Sequence, residues 1–232
     1  MLSRMWRACL GTIAVAEVMD LRSHWEQVYR AKGPDQLSWF QPEARMSREL
    51  IEQVAPDRDV HILDVGAGAS TLVDGLLASG YRRLTVLDLS DAAIQQAKHR
   101  LGPAADAVTW MVDDVLAASL ASASVDVWHD RAVFHFLTDP ADRVRYVSQV
   151  LRIVRPGGFV LVATFAEDGP TRCSGLEVAR YSATALHAEF GPAFRVVDSR
   201  REEHHTPWGA SQAFTYCLCR LTTSDAALER PT

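Results

Sequence analysis

The chain has 232 residues, 48% hydrophobic and 23% charged, with a formal net charge of −5 and a pI near 5.9. That balance belongs to a globular chain rather than a disordered or fibrous one, and it offers no positive field for a nucleic-acid backbone, which excludes DNA and RNA as expected partners. The cysteines, Cys9, Cys173, Cys217 and Cys219, are too scattered for a disulfide framework and point to a reducing compartment, the cytoplasm.

At the amino end Arg4 and Arg7 precede the apolar run Ala8 to Val15, and Ala14-Val15-Ala16 looks like a signal-peptidase site. The run is broken by Gly11 and Thr12 and falls far short of the about 20 residues that span a bilayer. Met19 stands as an alternative start, so residues 1–18 are expected to be dispensable, with no membrane partner. Ser23 and Glu26 then read as a capping box opening a helix with Trp25, Val28 and Tyr29 at helical spacing, stopped by Gly33-Pro34. Trp39 and Phe40 fall in a loop, and Met46 to Val54 reads as a second helix. Residues 19–56 are thus expected to form a helical lid ahead of one catalytic domain reaching to residue 220, with a frayed tail at 221–232.

From Val60 onward strands and helices alternate, which argues for a parallel sheet. His61 to Val65, Leu84 to Asp88, Val108 to Val112, Val125 to His129 and Phe159 to Phe165 are the expected strands. Ser90 caps a helix ending at Gly102-Pro103, and Asp139-Pro140 opens another whose Val144, Val147, Leu151 and Val154 form the expected buried stripe. A polar loop, Ala166 to Tyr181, leads to a helix over Ser182 to Phe190. Two last strands, Phe194 to Arg201 and Gln212 to Arg220, are joined by Glu202 to Ser211.

The first strand runs into Asp64-Val65-Gly66-Ala67-Gly68, whose glycines let a backbone turn approach a nucleotide-like ligand at a helix N-terminus. Thr71 holds the third position of the dinucleotide fingerprint. Asp64 also argues against a dinucleotide: a carboxylate beside the turn repels a pyrophosphate and suits an ammonium group such as that of methionine. Bonding to neighbouring backbone amides is its alternative role. Asp88, followed by Leu89, ends the second strand where an acidic side chain accepts from ribose hydroxyls. Asp113-Asp114-Val115 follows the third, and Asp114 is favoured as acceptor for the exocyclic amine of adenine.

As an ordered set these stretches resemble the class I S-adenosylmethionine-dependent methyltransferase family. They are Ile62 to Gly68, Val86-Leu87-Asp88, Val112 to Val115, Val125 to Leu137 and Val154 to Gly158. The resemblance implies a Rossmann-like seven-stranded α/β sheet of order 3-2-1-4-5-7-6 with the last strand antiparallel and helices on both faces. It also implies S-adenosyl-L-methionine as cofactor, across the carboxyl ends of strands one to four. In the family the stretch after strand four lies beside the reactive methyl group, which here points to His129, Asp130 and Arg131; Asp130 is taken as touching cofactor and acceptor alike. His135 is either a functional or a structural histidine.

Ligands of open α/β sheets sit outside the carboxyl ends of the parallel strands, so the terminal hairpin is expected to overhang the site. That would bring His204, His205 and Trp208 towards Cys173, Arg180 and Tyr181. His205 is the candidate general base, with His204 its competitor, and Asp130, Arg131, Arg180 and Tyr181 face the acceptor. Trp25, Tyr29, Trp39 and Phe40 are candidate lid aromatics that shield the site or face the sulfonium, with core packing as the alternative. No spacing of histidines or cysteines makes a metal motif, and none is expected. The expected acceptor is a small molecule, possibly a thiol, acted on by a monomer or weak dimer. A protein lysine methyltransferase and a non-catalytic S-adenosylmethionine-binding module are the alternatives.

Overall fold

A computed structural model describes residues 20–222; the expectations for residues 1–18 and for most of the tail lie outside them. Runs of Val, Leu and Ile form five parallel strands, β1 (His61–Val65), β2 (Arg83–Asp88), β3 (Val108–Val112), β4 (Val125–Arg131) and β5 (Val154–Phe165). Helices α1 (Leu21–Ala31) and α2 (Arg45–Val54) precede the sheet, and α3 (Leu72–Ala78), α4 (Asp91–Leu101) and α5 (Pro140–Ile153) cross between its strands. After β5 come a two-residue-stranded hairpin, β6 (Arg172–Cys173) and β7 (Leu176–Glu177), then α6 (Ala183–Phe190), β8 (Phe194–His205) and β9 (Ser211–Leu221). The sheet order is β3-β2-β1-β4-β5-β9-β8, with β9 antiparallel to both neighbours. Setting aside the small hairpin, which the sequence reads as loop, this is the expected 3-2-1-4-5-7-6. No helix among the described residues is long and apolar enough to cross a membrane.

Successive side chains of a strand point to opposite faces, and here the two faces have different tenants. Ile62, Val86 and Val127 pack against Leu50 and Ile51 of α2 and Leu72 and Leu76 of α3. Leu63, Val65, Leu87 and Trp128 pack against Tyr146, Val150 and Ile153 of α5 and Leu186 and Phe190 of α6. The buried stripe of α5 is therefore turned from the expected one, leaving Val144 66% and Leu151 43% exposed. Tyr146 fixes that rotation. Its hydroxyl accepts from Trp128 Nε1 at 2.9 Å and donates to Asp130 Oδ2 at 2.6 Å, all three side chains being buried.

Two further expectations change at the edges. Helix α1 starts under the carboxylate of Asp20, which accepts from the amides of Arg22 and Ser23, so the Ser23–Glu26 capping box does not form. Glu26 reaches α4 instead, accepting from Ser90 Oγ at 2.7 Å and the Ala92 amide at 3.1 Å, where a carboxylate is favoured by the helix dipole. At the other end the β8–β9 ladder runs past Arg201 to the His205–Ser211 pair, and Leu221 still pairs with Phe194.

The loop between α1 and α2 lies on the lengthened ladder. Arg131 Nη1 donates to Trp39 O at 3.1 Å, the His204 ring bonds Ser38 O at 2.7 Å, and Gln41 Nε2 donates to Glu202 Oε1 at 2.9 Å. Glu202 also accepts from Tyr216 Oη at 2.8 Å.

Replacing Tyr146 by Phe leaves a buried indole N–H and a buried carboxylate each short of a partner, and is expected to lower unfolding free energy by about 2 to 3 kcal/mol, read from the urea midpoint at unchanged slope. Gln41→Ala removes the Glu202 tie on the loop. Exchange of the Leu37 and Phe40 amides, which donate to Pro34 O and Leu37 O, should quicken by up to about tenfold while the global midpoint stays put.

Candidate active site

A cavity of about 290 Å³ lies where the carboxyl ends of β1, β2 and β4 meet the amino-terminal helices and their loop. Its floor is the turn after β1. Gly66 and Gly68 have φ of +57° and +53°, and a Cβ would come within 1.9 Å of Val133 Cγ2 on the first and 2.0 Å of Tyr29 Oη on the second. Only glycine fits both. The Gly68 amide donates to Asp88 Oδ2 at 2.7 Å, so this glycine shapes the wall from behind rather than forming it.

Four carboxylates from the strand ends and the turns after them reach the wall. Asp64 is buried, with Oδ1 2.7 Å from His129 Nδ1 and Oδ2 without any hydrogen-bond partner. A buried carboxylate oxygen left bare is costly unless a cation meets it, which fits the ammonium of a methionine moiety. Asp88 is also buried; desolvation pushes its pKa up to about 6 against the opposing amide bonds from Ser90 and Gly68. Asp114 lines the cavity with Leu89 and Val115, its Oδ1 accepting from the Leu116 amide at 2.9 Å. Asp113 lines it as well.

The opposite wall is aromatic. Trp25 stands edge-on to Phe136 (centroids 5.0 Å) and to Trp39 (5.8 Å), and Tyr29 meets Trp39 at 6.3 Å. Phe40 and Cys173 complete this end. Burial pushes the Cys173 thiol up to about 11, so at neutral pH it is a protonated wall group and not a nucleophile. Arg131 lines the cavity too, but its guanidinium is engaged by Tyr216 Oη, Trp39 O and Glu202 and lies 4.1 Å above the Phe214 ring. It holds the wall together.

Seven candidates, Asp130, His135, Arg180, Tyr181, His204, His205 and Trp208, do not come to this cavity. Asp130 occupies the other face of β4, where it accepts from the Val133 and Phe134 amides and Tyr146 and secures the turn through Ala132, whose φ is +72°. His205 is exposed at the last rung of β8, because alternation turns His204 inward to Ser38 O and its neighbour out. Tyr181 is buried on the α5–α6 side against Phe134. Arg180 is exposed and donates to Gly169 O, and Trp208, 61% exposed, sits in the hairpin turn. His135 is fully buried, accepts from the Phe165 amide, and is held neutral by desolvation at about 3. Ser47 and Phe136 line the wall without having been read as site groups, and His129, read as lying beside the methyl group, bonds Asp64 instead. Register with Asp64 gives His129 away; no local signal brings Ser47 of α2 beside it.

Residues 62–158 match the family described as a methyltransferase domain. An eEF1A lysine and N-terminal methyltransferase of Danio rerio is 25% identical over 156 residues, 66% of this chain and 22% of that protein. A ubiquinone/menaquinone biosynthesis C-methyltransferase of Roseobacter denitrificans is 27% identical over 121 residues, 51% of this chain and 47% of that one. The chain thus spans between about a fifth and a half of these curated relatives. A Burkholderia thailandensis 1,6-didemethyltoxoflavin-N1-methyltransferase, solved with 1,6-didemethyltoxoflavin and S-adenosylhomocysteine, shares the fold at TM-score 0.64 and 21% identity, over 88% of each chain. Strand order, the glycine turn with its bare carboxylate, and these likenesses agree in a methyltransferase domain over residues 62–158, set in the fold of a class I S-adenosylmethionine-dependent methyltransferase.

Proposed function

We propose that this chain transfers a methyl group from S-adenosylmethionine to a small-molecule nucleophile held in the aromatic end of the cavity. The observation that carries the reading is the aromatic end lined by Trp25, Trp39, Phe40, Phe136 and Cys173 and roofed by a loop tied down at Ser38, Trp39 and Gln41. A half-buried, largely apolar lining of this kind suits a compact, soft acceptor. When bound, the cofactor supplies a transferable methyl on a sulfonium. Asp64 would take its ammonium, Asp88 the ribose hydroxyls and Asp114 the adenine amine. The rings of Trp25 and Trp39 offer π-faces to positive charge.

With His205 at the solvent face and His135 walled in, neither histidine takes a proton from the acceptor. An acceptor that ionises by itself, as a thiol of pKa about 8.5 partly does, needs alignment and desolvation more than a base. A second reading, methylation of a protein lysine, is favoured by the eEF1A lysine methyltransferases among the relatives. It would require the tied loop to open for the lysine stem.

A radiolabelled methyl donor supplied with fractionated cell extract tests the reading. Label in the small-molecule fraction is expected; label in protein favours the second reading, and binding without transfer to any fraction reduces the chain to a binding module. The pH dependence of S-adenosylhomocysteine affinity tests the ribose contact. Ribose hydroxyls donate to an ionised carboxylate, so binding favours the charged Asp88 and should be full above about pH 7 and weaken as pH falls through 6. Asp88→Asn should bind about tenfold or more weakly at pH 7.5 and lose that acid limb in calorimetry.

A further inference from the structure

Asp64 does not stand alone at the cavity floor. His129 Nδ1 lies 2.7 Å from Asp64 Oδ1, and His129 Nε2 lies 2.8 Å from Ser47 Oγ. All three side chains are at least nine-tenths buried, and all three line the cavity. They come from three elements: Asp64 from β1, His129 from its register partner on β4, and Ser47 from α2. The imidazole donates through Nδ1 to the carboxylate, which leaves Nε2 to accept from the Ser47 hydroxyl, so each hydrogen in the chain has a defined place.

We infer that His129 and Ser47 are positioning residues for the methionine end of the cofactor, holding Asp64 so that Oδ2 stays bare for an ammonium group. The inference rests on the reading of Asp64 as the ammonium's partner and adds what makes that partner available. A free aspartate in a glycine turn would rotate to collect backbone amides with both oxygens, as Asp88 does with the amides of Gly68 and Ser90. Asp64 is prevented from doing so. The imidazole takes Oδ1 on the strand side, and Ser47 fixes the imidazole. Because α2 follows directly on the tied loop, the same chain of bonds links seating of the amino-terminal helices to the ammonium pocket.

The test compares two ligands that share adenosine and differ at the amino acid. S-adenosylhomocysteine carries the ammonium; 5′-methylthioadenosine lacks the whole amino-acid end. In titration calorimetry on the full chain, His129→Leu should weaken S-adenosylhomocysteine by about tenfold or more and leave 5′-methylthioadenosine within about twofold. Ser47→Ala should shift the ratio the same way by less, and His129→Asn, whose amide can still donate towards Asp64, should restore most of it. Equal weakening of both ligands, or no weakening in His129→Leu and Ser47→Ala alike, overturns the inference. Should His129→Leu fail to fold, Ser47→Ala and His129→Asn still distinguish these outcomes by the same ratio. Asp64→Asn separates the two levels. If it leaves the ratio of affinities unchanged, the reading of Asp64 itself is wrong; if it changes the ratio while the Ser47 and His129 variants do not, only the positioning role is.

Discussion

Side chains on a β-strand alternate between two faces, and in β4 that constraint divides three consecutive polar residues between two compartments. His129 and Arg131 go to the cavity side, where one meets Asp64 and the other gathers Tyr216, Trp39 and Glu202. Asp130 goes to the α5 side and is consumed by two backbone amides and Tyr146. The buried polar groups on both faces are matched locally, as the cost of an unpaired buried group demands. Asp64 Oδ2 on the cavity floor departs from this rule, as do His135 Nε2 and the Thr164 hydroxyl in the core. A departure on the floor of a cavity is where a ligand would complete the pairing.

The same alternation governs the last hairpin. Glu202 and His204 share the face that carries the loop between α1 and α2, and Glu203 and His205 face away from it. The hairpin does reach the carboxyl-end side of the sheet, but its contribution is mechanical: it anchors the loop that roofs the cavity. Arg131 serves that roof as well, since a guanidinium with several fixed acceptors binds surfaces together better than it reaches into a pocket.

Much of this architecture is legible in the residues. Alternating strand and helix patterns give the sheet, and the Asp64-to-Gly68 and Asp88 stretches give the turn and two carboxylates of the cavity, because turn chemistry and strand ends are local properties. What was not legible depends on phase and on contacts between distant segments. Val144, Val147 and Leu151 make as good an apolar stripe as Tyr146, Val150 and Ile153; the choice is made by one hydroxyl meeting Trp128 and Asp130 across the sheet. His205 turns away from the cavity because four more rungs of ladder beyond Arg201 set its direction. Ser47 has no signature at all: it is a serine inside a helix until α2 docks on β4.

Glu26 shows how closely the amino-terminal helices are woven into the rest. By accepting from Ser90 Oγ and the Ala92 amide it supplies acceptors at the start of α4 that this crossover helix would otherwise draw from solvent. The helix beside the aromatic chamber and the helix that follows β2 therefore share one boundary condition. Loosening the first unties the amino end of the second, so opening of the roof and fraying of α4 are thermodynamically linked, and any ligand that seats Trp25 tightens a part of the sheet layer it never touches.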